Sequence, residues 1–217
     1  MFKWLDNFWY HYKWPTIIVT FFAIVAIICF SQLATKEEYD AFCVYLGDGS
    51  GSITATDRNE ILSKLRSLTD DNDENGTVNV CFSREAYTSD TTSYAAGTLN
   101  TNVTSFMSSM LYQDYYIFFI SQELYDYYKS SEVFVKLDDY VSGVTDDMRY
   151  DDKALILKHT ALGNSAGFSR LPDDTLIVLK TIPYYSSSKI TEKQRTAQSQ
   201  HADIIQRIID LGNNSHS

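Results

Sequence analysis

From Pro15 to Thr35 the chain carries no charged residue, and its centre, Ile17 to Phe30, is almost wholly apolar. About 20 such residues let a helix span the hydrocarbon core of a bilayer, where a helix satisfies its own backbone polar groups. The run divides the chain into an aromatic-rich leader (1–14), a transmembrane helix (15–35) and a remainder (36–217). Trp4, Trp9, Tyr10, Tyr12 and Trp14 precede it and suit the membrane interface. Phe2, Leu5, Phe8, Trp9 and Tyr12 fall near one helical face, the pattern of a segment lying along the membrane surface. Lys3 and Lys13 flank one end, whereas Lys36 at the other is diluted by Glu37 and Glu38. The positive-inside rule then places the N-terminus in the cytoplasm and the remainder outside. Signal-peptide cleavage after Ala34 would put Gln32 where a small residue is required, and a lipoprotein site at Cys29 would put Ile28 there. An uncleaved, single-pass anchor in the cell membrane is expected.

The formal net charge is −10, and the first 35 residues contribute only Lys3, Lys13 and Asp6. The acidity belongs to the remainder, which phosphate backbones and anionic lipid heads repel, so nucleic acid is not an expected partner. With 16 Tyr and 12 Phe the chain is no disordered tail, and the remainder is long enough for one core. Cys29, Cys43 and Cys81 show no zinc-ligand spacing. Small buried thiols are the plainer reading of Cys43 and Cys81, and a disulfide between neighbouring strands is the other.

Apolar and aromatic runs suggest strands at 39–46, 77–82, 115–120, 153–159 and 175–181. Helical periodicity suggests helices at 57–68, opened by Asp57 with Glu60, at 101–112, at 122–130 and at 188–211, closed by Gly212. Residues 83–100 read as irregular. The order implies an α/β fold: one transmembrane helix, then a three-layer domain with a largely parallel sheet.

Residues 114–121 (DYYIFFIS), 122–128 (QELYDYY) and 133–141 (VFVKLDDYV) carry a family pattern. This stretch resembles the first lobe of the extracytoplasmic solute-binding proteins of ABC importers. The leader FWYHYKW and the later LPDDT at 171–175 resemble small membrane-anchored proteins of Clostridia-type bacteria. The resemblance implies one lobe of a periplasmic-binding-protein fold. The domain is one lobe long, so it departs from the two lobes and hinge of a complete binding protein.

Open α/β sheets meet ligands outside the carboxyl ends of their strands. On the strands above, those ends hold Asp48, Ser50, Ser83 and Ser121, with Tyr115 and Tyr116 offering flat faces and hydroxyls. The bland reading makes one tyrosine of each pair core and the other rim. Gly47, Gly49 and Gly51 lack the spacing of a dinucleotide loop, and Asp48 would repel phosphate, so they read as a turn. Asp71, Asp73 and Asn75, before Gly76, match the first half of a calcium loop, but Phe82 stands where the closing carboxylate belongs. A solvated acidic turn is the leading reading, calcium binding is expected to be weak, and no cofactor is expected. No nucleophile elbow or HExxH accompanies His11, His159, His201 or His216. The expected function is non-enzymatic: a membrane-anchored extracytoplasmic domain binding a ligand or another membrane or extracytoplasmic protein. The alternatives are a tethered hydrolase and an accessory subunit of a membrane complex.

Overall fold

The computed structural model describes residues 3–34, 39–47, 53–86, 114–182 and 188–214. The chain forms two compact units, 1–38 and 39–217. The first is one helix, α1 (Lys3–Ala34), so leader and apolar run are continuous. Pro15 sits inside it, where its missing N–H removes one helical hydrogen bond. Tyr12–Ser31 is long and apolar enough to be a membrane span or a signal sequence.

The second unit is α/β. Its elements are β1 (Ala41–Gly47), α2 (Ala55–Arg66), β2 (Val80–Ala86), β3 (Ile117–Ser121), α3 (Gln122–Tyr128), β4 (Ala154–Ile156), β5 (Thr175–Leu179) and α4 (Ser188–Asn214). The five strands make one sheet in the order β2-β1-β3-β5-β4. β1 pairs in parallel with β2 and β3, while β5 runs antiparallel between β3 and β4. Four of the five strands therefore point the same way, and the sheet is largely parallel as its sequence suggests. Because β2 and β3 lie on opposite sides of β1, the strand order reverses there, which makes β1/β3 the switch point.

Strand periodicity sends alternate side chains to two covers. Cys43 and Tyr45 of β1, Ile117 and Phe119 of β3, and Ile177 and Leu179 of β5 meet Ile61 and Leu65 of α2 and Ile204, Ile205, Ile208 and Ile209 of α4. The other face packs Val44, Leu46, Phe118, Ile120, Leu176 and Val178 against Leu124, Tyr125, Tyr128 and Phe134. Each fully buried Ile or Leu here is worth about 1.5–3 kcal/mol of transfer free energy.

Several boundaries move, each for a local reason. The helix expected to open at Asp57 is capped by Thr54: the Thr54 hydroxyl accepts from the Asp57 amide at 3.2 Å, and the Asp57 carboxylate accepts from the Thr54 amide at 2.9 Å. β2 starts at Val80 and runs to Ala86, through residues that read as irregular, because pairing with β1 outweighs weak local propensity. The 153–159 run is a strand only to Ile156, and His159 ends a single 3-10 turn, Leu157–His159. Gly212 does not end α4, which continues to Asn214; a Cβ there would meet Met148 Cε at 2.5 Å, so this glycine serves close packing. Gly167 is similar: its φ is +78° and a Cβ would lie 2.7 Å from the Asp57 carbonyl oxygen. The helix expected at 101–112 lies outside the described residues.

Cys43 and Cys81 are free thiols. The register sets Phe82, not Cys81, opposite Cys43. A one-residue offset sends the two side chains to opposite faces, which overturns the disulfide reading. Burial, reinforced by the neighbouring Cys81, pushes the Cys43 thiol well above its ordinary value.

Candidate functional site

The carboxyl end of the parallel strands is set by three aligned residues. Leu46 of β1 lies level with Glu85 of β2 and with Ile120 of β3. Ser121 closes β3 opposite Thr175, which opens β5. Ser121 is buried, and Gln122 and Glu123 beyond it are exposed. The Gln122 amide donates to the Asp174 carbonyl at 3.0 Å and ties α3 to the start of β5. Thr175 is fully buried and its hydroxyl has no partner among the described residues.

Of the six ligand-binding residues expected from sequence, only Ser121 is placed at this end. Asp48 and Ser50 lie outside the described residues. Ser83 sits in mid-strand, opposite Val44, because β2 is longer than its apolar core. Tyr115 and Tyr116 precede β3 at its amino end, since pairing begins at Ile117. Tyr115 is half-buried and bonds the side chains of Ser83 and Cys81; burial raises its hydroxyl above the usual phenol range. Tyr116 is 5 % exposed, and burial pushes its hydroxyl up to about 12. Tyr116 thus belongs to the core, as the bland reading had it, and Tyr115 flanks Phe42 at 6.5 Å, ring to ring.

The amino end of β3 holds a group that sequence reading passed over. Lys180 follows β5, is buried, and places its ammonium 5.2 Å from the Tyr116 ring centre. Burial lowers this lysine to about 8, partly countered by Asp114. His201 of α4 lies against Tyr116, ring centroids 4.7 Å apart. Its Nε2 accepts from the Phe42 amide at 2.9 Å, and its Nδ1 donates to the Ala197 carbonyl at 2.5 Å. Both nitrogens are spent as a neutral ring, and burial lowers its pKa to about 4. A histidine at i+4 from a helical carbonyl, beside isoleucines, was the available signal. On the other face, Tyr125 donates to both Asp151 oxygens at 2.6 and 2.7 Å, and burial with that acceptor raises its pKa strongly.

The acidic loop is compact. Asp71 accepts from the Asn75 and Gly76 amides at 3.1 and 2.7 Å, and Asp73 accepts from the Asn75 amide at 3.1 Å. Glu74 and Gly76 take the left-handed conformation the turn needs, at φ 56° and 84°. The Asn75 oxygen accepts from Thr77 at 2.8 Å, so the third expected ligand is engaged locally. Asp40, ahead of β1, supplies a carboxylate in its place: oxygens of Asp40, Asp71 and Asp73 lie within 4.8 Å of one another. These are oxygen donors of the kind hard cations take. Asp40 also has a structural duty, accepting from the Asn72 amide at 2.7 Å and the Asn79 amide at 2.8 Å while 6 % exposed. Parallel pairing of β1 with β2 brings it there, which no local motif announces.

No protein-family model, curated protein or solved structure matches this chain.

Proposed function

We propose that this chain is a single-pass, membrane-tethered protein whose acidic α/β domain stands outside the cytoplasm and binds a partner protein. The observation that carries the tether is α1, whose span Tyr12–Ser31 is long and apolar enough to cross a membrane.

Binding rather than turnover is supported by what the perturbed groups do. His201 and Tyr125 are each saturated by fixed neighbours and pin the fold. The resemblance to one lobe of a solute-binding protein supports the same reading. A lobe without a closing partner does not enclose a small solute, so a protein covering the open edge is the better occupant. The carboxyl end around Glu85, Ser121, Gln122 and Glu123 is the proposed contact, polar and acidic beside the β1/β3 switch point.

Two experiments test this. Protease added to intact cells is expected to remove the domain; a protected domain overturns the orientation. A photoreactive residue at Gln122 is expected to crosslink a partner in cells where one at the exposed Ser63 of α2 does not. Equal crosslinking from both positions refutes the edge contact.

A further inference from the structure

Outside α1 only three large apolar or aromatic side chains are exposed among the described residues: Tyr39, Tyr127 and Tyr140. Two of them stand at one end of the sheet. Cys43, Ile117 and Leu179 lie level across β1, β3 and β5, and mark its amino end. Tyr39, 37 % exposed, precedes β1 and sets its ring against Phe42 at 5.5 Å. Tyr140, 41 % exposed, is held at the same end. Its hydroxyl donates to the buried Gln198 at 3.0 Å, and the Gln198 amide nitrogen donates to the Lys180 carbonyl at 2.6 Å. The Lys180 amide in turn donates to the carbonyl of Tyr116, just ahead of β3, at 2.9 Å. A cleft of about 450 Å³ beside Tyr140 is bordered by Thr181, Ile182 and Arg195, so Ile182 adds aliphatic surface there. β1 and β5 are two strand spacings apart, about 10 Å, close enough for one flat surface to meet both tyrosines.

This is also the end where the chain enters the domain. Ser31, the last residue of the apolar span, and Tyr39 are eight positions apart. α1 takes up three of them at about 1.5 Å each, and the other five reach at most about 3.5 Å each, so the covalent limit is about 22 Å. The link keeps Tyr39 within reach of the lipid head groups and leaves the choice of end to the domain's own surface. Tyrosine suits that layer, because its ring enters the apolar boundary while its hydroxyl stays among the polar heads. Charge decides which lipid. Asp71, Asp73 and Glu74 before β2 and the exposed Asp114 before β3 outweigh Arg195, so this end repels an anionic head group and tolerates a zwitterionic one.

We propose that the amino end of the sheet docks on a zwitterionic lipid surface, with Tyr39, Tyr140 and Ile182 entering its head-group layer. Docking of this kind rests on the tether proposed above and adds an orientation to it. The carboxyl end with Glu85, Gln122 and Glu123, about 16 Å further along the strands, is then turned away from the lipid and open to a partner.

The test is photocrosslinking of the full chain in nanodiscs of dioleoylphosphatidylcholine. p-Benzoylphenylalanine is placed singly at Phe21, Tyr39, Tyr140, Ile182 or Gln122, and lipid adducts are read by mass spectrometry of the intact protein. Adducts are expected at Phe21, Tyr39, Tyr140 and Ile182, with Gln122 free of them. The probe at Tyr140 gives up the hydrogen bond to Gln198, and Ile182 supplies a second position at that end without this loss. An adduct at Phe21 with none at Tyr140 and Ile182 overturns the docking and leaves the tether standing; an adduct at Tyr39 alone has the same meaning, since the short link explains it. No adduct at Phe21 overturns the tether and the docking with it. Equal adducts at Ile182 and Gln122 show that neither end is preferred, which also overturns the docking. Exchanging part of the phosphatidylcholine for phosphatidylserine is expected to lower the yield at Tyr140 and Ile182. A rise would mean that Arg195 and an anionic head group make the contact, and overturns the zwitterionic surface.

Discussion

α1 and α4, of 32 and 27 residues, each contain five isoleucines. In α1 the five, Ile17, Ile18, Ile24, Ile27 and Ile28, are 49–68 % exposed; in α4, Ile204, Ile205, Ile208 and Ile209 are at most 3 % exposed. Isoleucine count does not separate the helices; their total apolar content and its angular distribution do. Valine and phenylalanine continue the apolar surface all round α1. Asp203 and Asp210 flank a single apolar stripe on α4. A helix apolar on every side needs an apolar surrounding, whereas a one-faced helix needs only a sheet to lie on.

Charge placed in α1 should break the comparison most sharply. Ile24→Arg with Ile27→Arg puts two guanidinium groups at the centre of the span, each costing about 2.5–3.5 kcal/mol of insertion. The chain is expected to move from the alkali-resistant membrane fraction to the soluble one, with the circular dichroism of residues 39–217 retained. A variant that still pellets with membranes would show that α1 is not the anchor. In α4 the matching change is Ile208→Ala, which removes a fully buried side chain. It is expected to lower unfolding free energy by about 2–5 kcal/mol in urea titration while membrane association stays intact. A cost below about 1 kcal/mol would mean that α4 is loosely docked.

The apolar patterns of α1 and α4, and the cores of β1, β3 and β5, were legible because burial on one face or all faces writes a local period. What was illegible came from pairing. The extension of β2 to Ala86 rests on hydrogen bonds to β1, and no propensity in Ser83-Arg84-Glu85 announces it. The same pairing carries Asp40 to Asp71, across 31 positions of sequence. It also splits Cys43 from Cys81 and leaves Tyr115 and Tyr116 at the wrong end for the edge first read. The antiparallel course of β5 is equally non-local. It carries Thr181 to the amino end of β3, so the cleft at Arg195 had no sequence signature beyond an arginine on a polar helical turn.

His201 sharpens the contrast from the α4 side, because α4 docks partly through a polar group. The folded ring is neutral with a pKa near 4, below its unfolded value of 6.5. The unfolded chain therefore binds the extra proton between those values, and stability falls as pH drops through that window. The loss at full extent is roughly 3 kcal/mol for a ring this buried. NMR titration of the imidazole is expected to show a midpoint near 4. A midpoint near 6.5 would mean that water reaches the ring and that α4 does not seal the Tyr116 end.

Lys180 tests the same desolvation cost that keeps arginine out of α1, with the opposite sign. Its ammonium is charged at neutral pH, yet burial has lowered its pKa to about 8 from 10.5. Below pH 8 the folded state bears the whole cost of that buried charge. Between 8 and 10.5 the folded lysine is neutral while the unfolded one is still protonated, so stability of the parent rises with pH. Lys180→Met keeps the length and drops the charge. It gives up the contact of the ammonium with the Tyr116 ring, worth about 0.5–1 kcal/mol, and recovers more than that in desolvation. The variant is expected to be more stable than the parent by about 1 kcal/mol at pH 7, with the gap closing as pH climbs from 8 to 10.5. The measurement is paired urea titrations at pH 7 and pH 10. A variant less stable at pH 7, or a gap that does not shrink at pH 10, would show that the charge is stabilised where it sits. The amino end of β3 would then be a polar site built for a cation, not a core position that tolerates one.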